Sequence, residues 1–245
     1  MEQKAPSISP IGWGAALIVG LCLIAGTLIG SWTFYRARSL DNSLSVTGSA
    51  TKAVTSDKVK WISAISRDVL ASSLQQGYVQ LASDLDAAEA FFAARGVATS
   101  TLVVSPIFMN QVYKSNDNAP LEYTLRQTIE LDSSDVSGVT AMAKDTQALI
   151  AKGVFFSTES LQYFYSGLAD LRVSLLGDAL KDARARAAEI ATSGGSAVGD
   201  LKSASSGVVQ VLPPNSVDIS DYGNYDTSTV DKEVMVTVHA AFSLR

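Results

Sequence analysis

The sequence predicts an α+β fold: a single N-terminal transmembrane helix, then a mostly antiparallel sheet packed with three helices. Three observations predict it. Ile11 to Ile29 is almost wholly apolar and carries no charge. After Leu40, segments of period-two alternation recur, the mark of half-buried strands. Interleaved with them are three longer segments whose apolar residues fall at helical spacing, an order that suits helices packed on an antiparallel sheet.

The first segment is long enough for an anchor, since about 20 apolar residues cross a bilayer as a helix. Trp13 at one end and Trp32, Phe34 and Tyr35 at the other form interfacial aromatic belts, followed by Arg36 and Arg38. The competing reading is a cleaved signal peptide. Its apolar region would run about 7–15 residues and end in a small-x-small site. This run is longer and ends in bulky aromatics, and Leu21 precedes Cys22 where a lipoprotein site needs a small residue. Lys4 flanks one side and Arg36 and Arg38 the other, so the positive-inside rule is indecisive or leans toward a cytoplasmic domain. Gly12, Ala16 and Gly20 repeat every four residues, as do Cys22, Gly26 and Gly30. Small residues at that spacing let helices approach closely, although glycine and alanine are also common in membrane helices generally. The expected organisation is a tail over 1–10, the anchor over 11–35, a linker over 36–43 and one domain over 44–245.

Within the domain, Leu44 to Ala50 alternates apolar and polar residues. Thr55-Ser-Asp57 can turn the chain, with Val59 to Ile65 as a hairpin partner. A helix follows from Ser73 to Arg95, with Leu74, Tyr78, Leu81, Leu85, Ala88 and Phe92 as its stripe and Gly96 as C-cap. Thr101–Tyr113 and Leu121–Leu131 are the next strands, joined by a turn at Asn116–Pro120. In the second, Leu121, Tyr123, Leu125, Ile129 and Leu131 face one way, and Glu122, Thr124, Arg126, Thr128 and Glu130 the other. Val136 to Ala151 reads as a helix carrying Val139, Met142, Thr146 and Leu149/Ile150 on one face. Ser160–Tyr165 is a short strand. The longest helix runs from Leu168 to Thr192 on Leu168, Leu171, Leu175, Leu176, Ala179, Ala183, Ala187 and Ile190, with Asp182 and Arg186 as an i,i+4 pair. Gly194-Gly195 ends it. Leu201–Leu212 and Val234–Leu244 close the fold, joined by a polar loop.

Composition excludes several functions. From Leu40 onward there are 23 acidic and 16 basic residues, a balance opposed to nucleic-acid binding, which needs clustered Lys and Arg. Cys22, inside the apolar run, is the sole cysteine. The domain therefore forms no disulfide and offers no thiol nucleophile or zinc thiolate.

The catalytic inventory is thin. His239, the one histidine, lies on the face opposite Val234, Val236, Val238, Ala240, Phe242 and Leu244, where a surface role is the plain reading. No G-x-S-x-G elbow or Walker loop accompanies it. Asp218, Asp221, Asn224, Asp226 and Asp231 cluster in the last loop, but their spacing departs from the D-x-[DN]-x-[DN]-G calcium pattern, and a solvated loop accounts for them. Tyr222 and Tyr225 in that loop could mark a contact surface. No catalytic, cofactor-binding or metal-ligating residue is therefore assigned, and no cofactor is expected.

Val46 to Val54 (VTGSATKAV) with Ser56-Asp57-Lys-Val59, and the helix Asp182 to Ala191 (DARARAAEIA) followed by Gly195 and Val198-Gly199-Asp200-Leu201, resemble the SIMPL domain family of bacterial envelope proteins. The resemblance covers nearly all of Leu44 to Leu244. It implies a periplasmic or envelope-associated domain, members that assemble into ring-like or barrel-like oligomers, and a loose link to oxidative-stress tolerance. It carries no catalytic residues. Many members have a cleaved signal peptide, so the long anchor departs from the pattern. The resemblance also implies an inner-membrane protein with its domain in the periplasm, against the arginine signal. The expected function is a non-enzymatic, membrane-anchored envelope protein that self-assembles, with itself, membrane lipid and other envelope proteins as partners and no nucleic acid. A channel-like assembly, a binding module for another envelope protein and, last, a hydrolase using Ser, Asp and His239 are the alternatives.

Overall fold

The computed structural model describes residues 10–39, 42–114, 120–216 and 220–245. Helix α1 (Pro10–Ser39) runs four residues into the stretch expected as linker. Its segment Leu17–Arg36 has a mean hydropathy of 2.0 and holds no buried residue. It is the one helix, among the described residues, long and apolar enough to cross a membrane.

The remainder is an α+β fold with antiparallel strands, as the alternation predicts, but it holds two sheets rather than one. Strands β1 (Ser43–Thr55), β7 (Val198–Leu212) and β8 (Asp231–Leu244) form a three-stranded sheet in the order β1-β8-β7. Strands β2 (Lys58–Leu70), β3 (Leu102–Val104), β4 (Phe108–Val112), β5 (Glu122–Ser133) and β6 (Phe156–Phe164) form the second. Its order is β3-β5-β2-β6, with β4 also on β5, and every pairing is antiparallel.

The expected hairpin between the first two strands does not form. β1 and β2 belong to different sheets, and the corner between them is held by distant chain. Ser56 N–H donates to Val230 O at 2.8 Å, and Asp57 N–H to Phe164 O at 3.0 Å. The strand expected over Thr101–Tyr113 is broken into β3 and β4 at Ser105–Ile107. Pro106 has no N–H to give the ladder, and the break is closed by Ser105, whose N–H donates to Thr128 O and whose hydroxyl accepts from Thr128 N–H. The turn expected at Asn116–Pro120 lies, but for Pro120, outside the described residues.

Among the described residues the domain holds four α-helices where three were expected. α2 (Leu74–Ala93) ends at Gly96, whose φ of 83° is the left-handed cap the sequence asks for. The helix expected over Val136–Ala151 divides into α3 (Val136–Lys144) and α4 (Gln147–Ile150). Asp145 and Thr146, both poor helix formers, leave helical geometry at the break. Asp135 caps α3, accepting from Gly138 N–H at 2.8 Å. α5 (Leu168–Ser193) follows its expected bounds. Its buried stripe continues through Ala179, Ala183, Ala187 and Ala191, however, and leaves Ile190 52% exposed.

The contacts divide the chain into two compact units, 1–48 with 180–205 and 238–245, and 49–179 with 206–237. The larger unit centres on Trp61, Ile65, Leu81, Phe92, Leu125 and Ile129, where α2 packs on β2 and β5. A second cluster there joins Leu171 and Leu175 of α5 to Val211, Val234 and Val236. In the smaller unit Ala183, Ala187, Val238, Ala240 and Phe242 are buried.

Two glycines make opposite predictions. A Cβ at Gly77 would lie 2.5 Å from the stiff Val69 Cγ1 and 3.2 Å from Leu125 Cδ1, whereas one at Gly177 would meet nothing within 4 Å. Alanine is worth up to about 1 kcal/mol over glycine in a helix, and overpacking costs about 1–3 kcal/mol. Thermal melts are therefore expected to move down for Gly77→Ala and up for Gly177→Ala.

Candidate functional site

The single histidine is placed by strand register. Leu244 N–H donates to Asn42 O at 3.1 Å, and Ala197 and Arg245 exchange both backbone hydrogen bonds at 2.7 and 2.8 Å. These closures make β8 antiparallel to both its neighbours. The first brings Thr47 beside His239, with Thr47 Oγ1 2.8 Å from Nδ1. Ser45, Thr47, Ser203, Ser205, His239 and Ala241 line a shallow depression of about 250 Å³. As the alternation predicts, His239 is exposed while Val234, Val236, Val238, Ala240 and Phe242 are buried. A Ser-His-Asp arrangement needs a buried carboxylate at Nδ1 to steady the imidazolium, and the group at that position is a neutral, exposed hydroxyl.

The acidic loop is organised around a residue that sequence reasoning missed. Lys232 is 1% exposed. Its ammonium donates to Asp226 O and Thr229 O, each at 2.6 Å, and to Asp226 Oδ2 at 3.3 Å, which uses all three of its protons. Asp226 also accepts from the backbone and hydroxyl of both Ser228 and Thr229. Burial works to raise the Asp226 pKa, but the bonds from Thr229 and Ser228 outweigh it and hold the carboxyl well below the usual range. Burial pushes the Lys232 pKa down, against the pull of Asp226. The available signal was phase, because Lys232 occupies the inward register of Val234, Val236 and Val238.

The other expected loop residues do not converge. Asp231 accepts from the Thr55 hydroxyl at 2.9 Å, Asn224 O accepts from Val211 N–H, and Asp221 is exposed. Asp218 lies outside the described residues. Among the described residues, no three His, Cys, Asp or Glu side chains are grouped to hold a metal. Tyr225 accepts from Tyr165 N–H through its hydroxyl, whereas Tyr222 is 97% exposed.

A larger cleft of about 900 Å³ lies between the end of α2 and the start of α3. Lys58, Arg95, Asp132, Asp135 and Asp145 line it over Leu131, Val139 and Met142. The Arg95 guanidinium lies 3.7 Å from the Phe91 ring centre and 3.3 Å from Asp145 Oδ2. Its charge is thus engaged, and the mixed signs select no one class of ligand.

Residues 44–242 match the SIMPL family, described as a protein of unknown function (DUF541). The chain belongs to the SIMPL family. No curated protein matches it in sequence. The family match begins at Leu44, so α1 lies outside the stretch that defines a SIMPL domain.

In this SIMPL chain, Gly20, Gly26 and Gly30 of α1 have open space where a Cβ would stand. Gly12 and Ala16 fall on the same helix. Trp32, Phe34 and Tyr35 are exposed, and the Arg36 guanidinium stacks 4.9 Å from the Trp32 ring. The side chains of Trp13 and Arg38 lie outside the described residues.

Proposed function

We propose that this SIMPL protein is a non-enzymatic, membrane-anchored envelope scaffold that assembles with copies of itself, its domain standing in the periplasm. The observation that carries the reading is the three-stranded sheet. Both outer strands are long, 13 residues in β1 and 15 in β7, and among the described residues no named strand lies beyond either, although the segment around Tyr225 pairs with β7 at Val211. Asp200 to Ser206 of β7 are exposed at every position. The stretch Ser203–Val208, short of the buried Gln210, carries no charge and no proline, and neither does Ser43–Thr47 of β1. Long uncharged edges are templates for pairing with another chain, which proteins otherwise blunt with lysine, proline or a covering element. The β1 edge of one copy meeting the β7 edge of the next is a head-to-tail contact, which closes into a ring or runs on as a filament. Cys22 sits in the anchor, so the domain offers no thiol for direct redox chemistry.

Full-length protein in mild detergent is expected to give a native mass several times 25.8 kDa, and a strictly monomeric species would end the proposal. Neighbouring residues of a strand point their N–H groups to opposite sides, so Ser203→Pro and Ala204→Pro differ in kind. One is expected to release monomers with an unchanged melt, and the other to destabilise the fold. Full-size oligomers from both, dissociated instead by Gly26→Leu, would assign association to the small-residue face of the anchor.

A further inference from the structure

The anchor is tied to the domain by very little chain. α1 ends at Ser39 and β1 begins at Ser43, a span of at most about 14 Å even when fully extended. The start of β1 does not stand alone. Asn42 O accepts from Leu244 N–H at the end of β8, and Arg245 is paired to Ala197 just before β7. With strands about 4.8 Å apart, these three passes of the chain end together, along with the Gly194-Gly195 turn that closes α5.

The sequence places Arg36 and Arg38 just before β1, in a chain whose formal net charge is −5. Arg245 bonds Asp200 at 2.6 Å with both side chains largely exposed, the kind of pair that holds weakly in water. Basic side chains close to a bilayer are drawn to anionic headgroups over about a Debye length.

We infer that the end of the domain formed by Asn42, Ala197, Leu244 and Arg245 rests on the bilayer that α1 enters, and that Arg245 joins the juxtamembrane arginines in binding anionic phospholipid headgroups. This rests on the anchored reading of α1. It also gives the assembly a direction. Strands that leave the membrane side by side add neighbours across their edges, so copies join without lifting any anchor from the bilayer.

The test uses the full chain with Cys22→Ala and a single cysteine at Ala197 or at Ala185, both exposed, the second about 12 Å up the helix from Ser193. Each is labelled with an environment-sensitive fluorophore and reconstituted into phosphatidylcholine vesicles, with or without phosphatidylglycerol, carrying a headgroup quencher. The Ala197 label is expected to be quenched several-fold more than the Ala185 label, and more strongly with phosphatidylglycerol. Arg245→Glu is expected to reduce that increment and leave the phosphatidylcholine value unchanged. Equal quenching of the two labels in protein that floats with the vesicles overturns the inference. An increment indifferent to Arg245→Glu overturns the assignment of that arginine to the lipid. Protein that does not float overturns the anchored reading itself.

Discussion

Replacing Trp61 with alanine is expected to lower the unfolding free energy by about 3–5 kcal/mol, the range for emptying a large aromatic site in a core. Trp61 is fully buried on β2, edge-on to Phe92 at 5.3 Å and to Phe156 at 5.8 Å. It thus joins α2 and β6 to the strand between them, and each such aromatic pair adds about 0.5–1.5 kcal/mol beyond the area it buries. Its indole N–H donates to the Thr158 hydroxyl at 3.2 Å across the β2–β6 pairing. Trp61→Phe should retain most of the packing, lose that bond and cost distinctly less. The measurement is denaturant unfolding followed by circular dichroism on full-length protein in detergent. A Trp61→Ala loss below about 1 kcal/mol would mean the site collapses onto itself, contrary to the burial of its ring neighbours.

The parts of this fold legible in the sequence are those whose partners do not need to be known. β5 and β8 each expose one face, so alternation alone separated Leu125, Ile129 and Leu131 from Arg126 and Thr128, and Val236 and Val238 from His239. α5 kept its bounds because an apolar stripe and a diglycine end are both local signals. The β1–β2 hairpin was misread for the same reason. The corner residues Ser56 and Asp57 do turn the chain, but their backbone partners are Val230 and Phe164, and nothing near the corner reveals which sheet the next strand joins. Pro106 and the Asp145-Thr146 pair carried the strand and helix breaks openly, and they were overridden by the longer apolar pattern around them. At the candidate site, the outward direction of His239 followed from alternation, whereas its contact with Thr47, 192 residues away, could come only from the register of the sheet.

Lys232 makes the sharpest remaining prediction, because a charge buried to this degree survives only through its partners. Lys232→Met, which keeps the apolar stem and removes the ammonium, is expected to cost about 3–5 kcal/mol, the range for breaking a buried pair and leaving one member uncompensated. The loss comes from the carbonyls of Asp226 and Thr229, which no longer meet the ammonium, and from the Asp226 carboxylate, which keeps its bonds from Ser228 and Thr229 but loses its cation. The acid limb of stability should report the same group. The folded pKa of Asp226 is depressed, so its contribution is fully present above the ordinary carboxylate value near about pH 4 and drains away as the pH falls through the folded value. In Lys232→Met the Asp226 carboxylate loses its cation while its burial remains, so its folded pKa moves up toward the unfolded value, the window between the two narrows, and the acid limb is expected to be shallower than in the wild type. Unfolding curves for the wild type and the variant between pH 3 and pH 7 decide it. Parallel acid limbs, displaced only in height, would separate Asp226 from Lys232 and leave Ser228 and Thr229 as the groups that hold the loop.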